Sequence, residues 1–93
     1  MTHTYLRPRL SVNEILSRIL RRIEDGRLPV ALLKEPPARY GSGCTCAGCG
    51  DQIGSDDIEY EMTDPRGGGR LTFHLRCHAI WQLECVRLVA EKS

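Results

Sequence analysis

The sequence is poor in aromatic residues, in asparagine and in net charge. It has one Trp, one Phe and three Tyr among 93 residues. A chain of this length buries a modest core, and so few rings thin it further. They also leave little for stacking nucleic-acid bases, because Tyr60, Phe73 and Trp81 fall where a core needs them. Asn13 is the only asparagine, so a His-Asn-His nuclease site cannot be assembled convincingly. Net charge is +1, whereas dedicated nucleic-acid domains carry a basic excess. No apolar run reaches the 18 residues of a membrane-spanning helix, and no signal peptide is evident. The expectation is a soluble, cytoplasmic chain without membrane contact. Five cysteines are an odd number, which argues against a closed disulfide framework. Reduced thiols that hold metal suit the cytoplasm.

What is present is a split ligand pattern. Cys46-Ala47-Gly48-Cys49 is followed, 24 residues on, by His74-Leu75-Arg76-Cys77. Two such pairs supply the four ligands of a tetrahedral zinc ion. A tight turn brings Cys46 and Cys49 together, with Gly48 and Gly50 expected at unusual φ angles. A spacing of three along a helix points His74 and Cys77 the same way. One structural zinc per chain is expected, held by Cys46, Cys49, His74 and Cys77. Cys44 and His78 are the alternates: Cys44 adds a third thiol to the knuckle, and His78 shares the His74 face at spacing four. A lone Cys-x-x-Cys reads equally as a redox pair, but the matching His-x-x-Cys weakens that reading. Cys85, eight residues past Cys77, lies about 12 Å along a helix and reads as a small core residue.

At these residues the chain resembles a treble-clef zinc finger. Phe73-His74-Leu75-Arg76-Cys77-His78 is similar to the middle of the first zinc module of a LIM domain. The likeness covers residues 44 to about 81. A LIM domain would continue into a second module, whereas here no Cys pair follows Cys77 and a single site is implied. The chain also resembles small bacterial proteins that place an N-terminal helix before such a finger. The resemblance attaches no activity.

The fold class expected is α+β: a knuckle, a β-hairpin and a C-terminal helix, with an N-terminal amphipathic helix packed on them. Residues 1–93 read as a single domain, with 1–10 a flexible arm and 11–26 the first helix. Residues 34–43 read as a connector and 44–91 as the zinc-binding module. Ser11-Val12-Asn13-Glu14 matches a capping box. Val12, Ile15, Leu16, Ile19, Leu20 and Ile23 form a helical stripe, and Gly26 and Pro29 end it. Leu28 to Leu33 is expected to run extended along the core, with Tyr40 packing beside the zinc. Ile58–Met62 and Arg70–Phe73 alternate as strands, flanking the turn Asp64-Pro65-Arg66-Gly67-Gly68-Gly69. Glu59 and Glu61 are expected to face solvent, within reach of Arg70. The last helix is expected from His74 to about Glu91, with Trp81 in the core. Its apolar surface exceeds what a hairpin covers, so the first helix is expected to lie against it.

Charge is uneven. Residues 1–43 carry eight Lys/Arg against four acids, and residues 44–93 carry five against eight. Arg7, Arg9 and the helical Arg18, Arg21 and Arg22 are the basic surface, and those three helical arginines are the candidate partner-binding residues. The leading functional reading is a non-catalytic zinc-binding module that mediates protein interaction. The alternatives are a nucleic-acid-binding finger, a thiol redox or zinc sensor using Cys44, and a treble-clef nuclease.

Overall fold

The computed structural model describes residues 10–92; the arm with Arg7 and Arg9 lies outside the described residues, apart from Leu10. Five elements follow in order: α1 (Val12–Glu24), β1 (Ala38–Tyr40), β2 (Ile58–Thr63), β3 (Arg70–His74) and α2 (Leu75–Glu91). The strands form one antiparallel sheet in the order β1-β2-β3. The class is α+β.

Helix α1 begins as its sequence dictates. The Ser11 hydroxyl accepts from the Glu14 N–H at 3.1 Å, and the Glu14 carboxylate accepts from the Ser11 N–H at 3.0 Å. These bonds satisfy two of the donors that a helix start leaves unpaired. Asp25 caps the other end, and Gly26 follows at φ +76°. Ile15 and Ile19 are buried, and Ile23 packs at the core's edge. Leu10 also packs there, its carbonyl accepting from Arg76 at 3.0 Å.

The core gathers Ile15, Ile19, Leu28, Ile53, Leu71, Phe73 and Trp81 around the cysteines. Trp81 stacks on Phe73 with ring centroids 4.7 Å apart. Its indole N–H donates to the Pro29 carbonyl at 3.0 Å. The segment after α1 runs extended over α2, and Gln82 holds it there. The Gln82 amide donates to the Ala31 carbonyl at 2.8 Å and accepts from the Leu33 N–H at 3.0 Å. The hairpin turn closes back on α1: Arg66, tied to the buried Asp64, donates to the carbonyls of Gly26 and Arg27. These two residues directly follow the C-cap Asp25, so Arg66 ties the hairpin turn to the chain leaving α1.

Several expectations are corrected. The connector 34–43 contains a strand, β1, whose Arg39 pairs in register with Glu59. That makes β2 the central strand. Glu59 is therefore not a solvent-facing residue; its side chain is 0% exposed. It accepts from Arg39 Nε, from the Ser42 N–H and from the Ser42 hydroxyl, each within 2.9 Å. Glu61 stays half-exposed between Arg39 and Arg70, as its alternation suggested. Tyr40 does not pack beside the cysteines: it sits at the sheet edge, 74% exposed. His74 does not open the last helix; it ends β3 and is the residue before α2. The first helix lies against α2, as expected. It meets the Trp81 side and leaves Leu83, Val86 and Val89 exposed.

Burial alone would raise the Glu59 pKa. Hydrogen bonds from the Ser42 backbone, Arg39 and the Ser42 hydroxyl outweigh it and leave the carboxyl below its ordinary value. A carboxyl lowered in the folded state stabilises above its unfolded pKa of about 4.3, and that contribution is lost as pH falls through the folded value. Glu59→Gln is expected to lower stability by about 1.5–3 kcal/mol at neutral pH, the worth of hydrogen bonds to a charged group. Denaturant midpoints between about pH 6 and 2 check it, with the gap between variant and parent holding above about pH 5 and narrowing below about pH 4.

Candidate metal centre

Two short segments bring four ligands together. The first is the knuckle, residues 44–53, where Thr45 bridges Gln52. The Cys46 N–H donates to Asp51 O at 2.9 Å, Gly50 N–H to Cys46 O at 3.0 Å, and Ile53 N–H to Cys44 O at 2.8 Å. Gly50 takes φ +86°, which a residue with a Cβ rarely adopts. Gly48 does not: it is absent from the positive-φ set among the described residues. Its need is space, since a Cβ there would stand 3.1 Å from the Cys77 Cβ. The second segment is the junction of β3 and α2. His74 closes the strand, and Cys77 lies in the first turn of the helix. The Ala47 N–H donates to Thr72 O at 2.7 Å and joins the two segments.

The thiol sulfurs of Cys46, Cys49 and Cys77 and a ring nitrogen of His74 all lie within 4.8 Å of one another. His74 Nδ1 is 3.5 Å from Cys49 Sγ and 3.8 Å from Cys77 Sγ. Ligands at about 2.0–2.3 Å from a tetrahedral centre stand roughly 3.5–3.8 Å apart. This Cys3His cluster could therefore hold a metal ion. Backbone donors support the sulfurs: Asp51 N–H reaches Cys49 Sγ and His74 N–H reaches Cys46 Sγ, both at 3.4 Å. Three thiols this close ionise unequally. Hydrogen bonds from Cys49 and Cys77 hold Cys46 far below the ordinary thiol range, and donation to Cys46 pushes Cys49 and Cys77 above it. A cation is what allows all three to be thiolates together.

The alternates stand elsewhere. Cys44 is exposed and accepts from the Ser42 hydroxyl at 3.1 Å. His78 is buried in a cage of Tyr60, Phe73 and Trp81 rings, where burial pushes its pKa down. Neither belongs to the cluster. Cys85 is fully buried in the core, and burial pushes its thiol up. Of the candidate partner arginines, Arg18 turns onto the knuckle. It donates to Cys49 O at 2.8 Å and pairs with Asp51 at 3.3 Å. Arg22 lies over Gly50, and Arg21 is exposed.

Sequence reasoning missed Asp57. A turn in which the Gly54 N–H donates to Asp57 Oδ2 at 2.9 Å sets this carboxylate 3.9 Å from His74 Nε2. At that distance the carboxylate stands behind the ring without hydrogen-bonding it. Asp56-Asp57 carries no motif, so only the three-dimensional placement reveals it.

No protein-family model, no curated protein and no solved structure matches the chain. The described helices include none long and apolar enough to cross a membrane.

Proposed function

We infer that the chain is a treble-clef-like zinc module, non-catalytic, whose role is to present a surface to a protein partner. One observation carries the metal part: Cys46, Cys49, His74 and Cys77 converge from two separate segments within 4.8 Å. Three thiolates and an imidazole are the donor set of structural zinc, and four protein ligands close a tetrahedral site against water. The order knuckle, hairpin, helix is that of a treble clef. The expected result is one zinc per chain in protein purified without added metal, unchanged in a Cys44→Ser/Cys85→Ala variant. Metal analysis checks it; a folded chain with zinc near zero sinks the reading.

A specific observation favours protein over nucleic acid as partner. Arg18 is engaged by Cys49 O and Asp51, which subtracts from the basic face, while α2 leaves an apolar stripe exposed. Titration with duplex DNA, single-stranded DNA and RNA at about 50 and 200 mM salt is the test, since phosphate contacts weaken markedly over that range. The expected result is no binding tighter than the micromolar range. Tighter, steeply salt-dependent binding that is lost in Arg18/Arg21/Arg22→Ala would reverse the ranking.

A further inference from the structure

Helix α2 has two apolar faces. One, with Cys77, Trp81 and Cys85, is buried. The other carries Leu75, Ala79, Leu83, Val86 and Ala90, spaced by four, four, three and four residues, which places them on one face. All five are exposed, Leu83 at 70%. The stripe extends about 22 Å at 1.5 Å per residue, and no charged residue interrupts it.

The N-terminal end of this stripe enters a groove of about 780 Å³ whose wall includes the ligands Cys49, His74 and Cys77. Leu75 and Ala79 line it together with Ile15 and Ile58. Its polar wall is acidic, from Glu35, Asp51, Asp56 and Asp57. Asp51 is paired with Arg18. Glu35 accepts from the Tyr60 hydroxyl. Asp56 has no hydrogen bond or ion pair among the described residues. The basic residue lining the groove, Arg76, spends a guanidinium N–H on the Leu10 carbonyl. A divalent ion with three thiolates would add a further net negative charge.

We propose that this groove and the stripe running out of it bind a basic amphipathic helix of another protein. Its apolar side chains lie along Leu75, Ala79, Leu83 and Val86, and its Lys or Arg side chains meet Glu35, Asp56 and Asp57. Charge selects the partner. An acidic segment or a nucleic-acid backbone would be repelled at the carboxylates, and an apolar one would leave them without a counter-charge. Apolar residues at helical spacing against a complementary apolar stripe are the helix-in-groove mode of recognition. The proposal deepens the protein-partner reading and adds the sign of the partner's charge. It is opposite to the acidic partner that the arginines of α1 would take.

The test is a fluorescence-anisotropy titration of the full, zinc-analysed chain with three labelled model helices. One has Leu at helical spacing with Lys between; the second has Glu for every Lys; the third has Ser for every Leu. The expected result is micromolar binding of the Lys/Leu helix, with each of the others weaker by about tenfold or more. Leu83→Ser and a Glu35→Gln/Asp56→Asn pair should each weaken the Lys/Leu helix by about tenfold. Both sets of positions are exposed, so the fold should survive. Glu24→Gln, outside the groove, should leave affinity unchanged. Equal binding of the Glu version, no loss in the groove variants, an equal loss in Glu24→Gln, or no binding at all overturns the proposal. If the same sample carries one zinc per chain, that failure leaves the metal reading standing. Only the metal analysis can remove that reading.

Discussion

Cys49→Ser is expected to abolish folding, and chelation of the parent chain should do the same. The reason is where the ligands sit. Cys46 and Cys49 belong to a knuckle whose internal structure is a few turn hydrogen bonds and one bridge. His74 and Cys77 belong to the β3–α2 junction. Direct bonds between these segments are few: Ala47 N–H to Thr72 O, the Thr72 hydroxyl to Thr45 O, and His74 N–H to Cys46 Sγ. A structural zinc site contributes about 10–16 kcal/mol to folding in small domains. The whole stability of a typical domain is about 5–15 kcal/mol. Removing the metal term therefore removes as much as the fold has. Loss of a ligand also leaves thiols crowded in the core, where Cys46, Cys49 and Cys77 are at most 3% exposed. Amide dispersion and zinc content, followed as chelator is added, report the two events. They should fall together. A spectrum that stays dispersed after the metal has gone would show that the apolar core suffices by itself.

How much of this was legible beforehand follows from which residues speak locally. The capping box and stripe of α1 depend on neighbours three and four positions away, and both were readable. The ligand pairs were readable for the same reason: each is a local spacing. Their meeting within 4.8 Å could only be inferred from chemistry. What escaped was non-local. Strand β1 is three residues, Ala38-Arg39-Tyr40, beside two prolines and two glycines, and nothing in it alternates. Once it pairs, Glu59 changes from a surface acid to a buried one, because a central strand has neighbours on both sides. Asp57 was invisible because a turn, not a motif, brings it near His74. Reading α2 as carrying a wide apolar surface was correct about its composition. Helix α1 does lie against it, but a helix with Ile15 and Ile19 as its buried residues covers one face only, and the other face stays exposed.

Trp81→Ala is expected to lower stability by about 3–5 kcal/mol, the usual range for removing a large buried side chain, while leaving the zinc bound. Trp81 is fully buried, stacked on Phe73 and edge-on to His78. Truncation opens a cavity between the sheet and α2. It also strands the Pro29 carbonyl, which accepts from the indole at 3.0 Å, and an unpaired buried acceptor costs about 1–3 kcal/mol. The metal ligands do not depend on the indole in the same way. Cys46 and Cys49 are held by the knuckle, and His74 and Cys77 by the strand end and the first turn of α2. What Trp81 secures is the other half: the extended segment through Pro29 and, through that segment, the docking of α1. The variant should therefore keep one zinc per chain and unfold at a much lower denaturant concentration. Amide hydrogen exchange should rise first over residues 12–33. Trp81→Phe keeps most of the ring contact but loses the bond to Pro29, so it should fall between the two. If folded Trp81→Ala, before any denaturant is added, already holds much less than one zinc per chain, the indole is needed to assemble the ligands and this prediction fails.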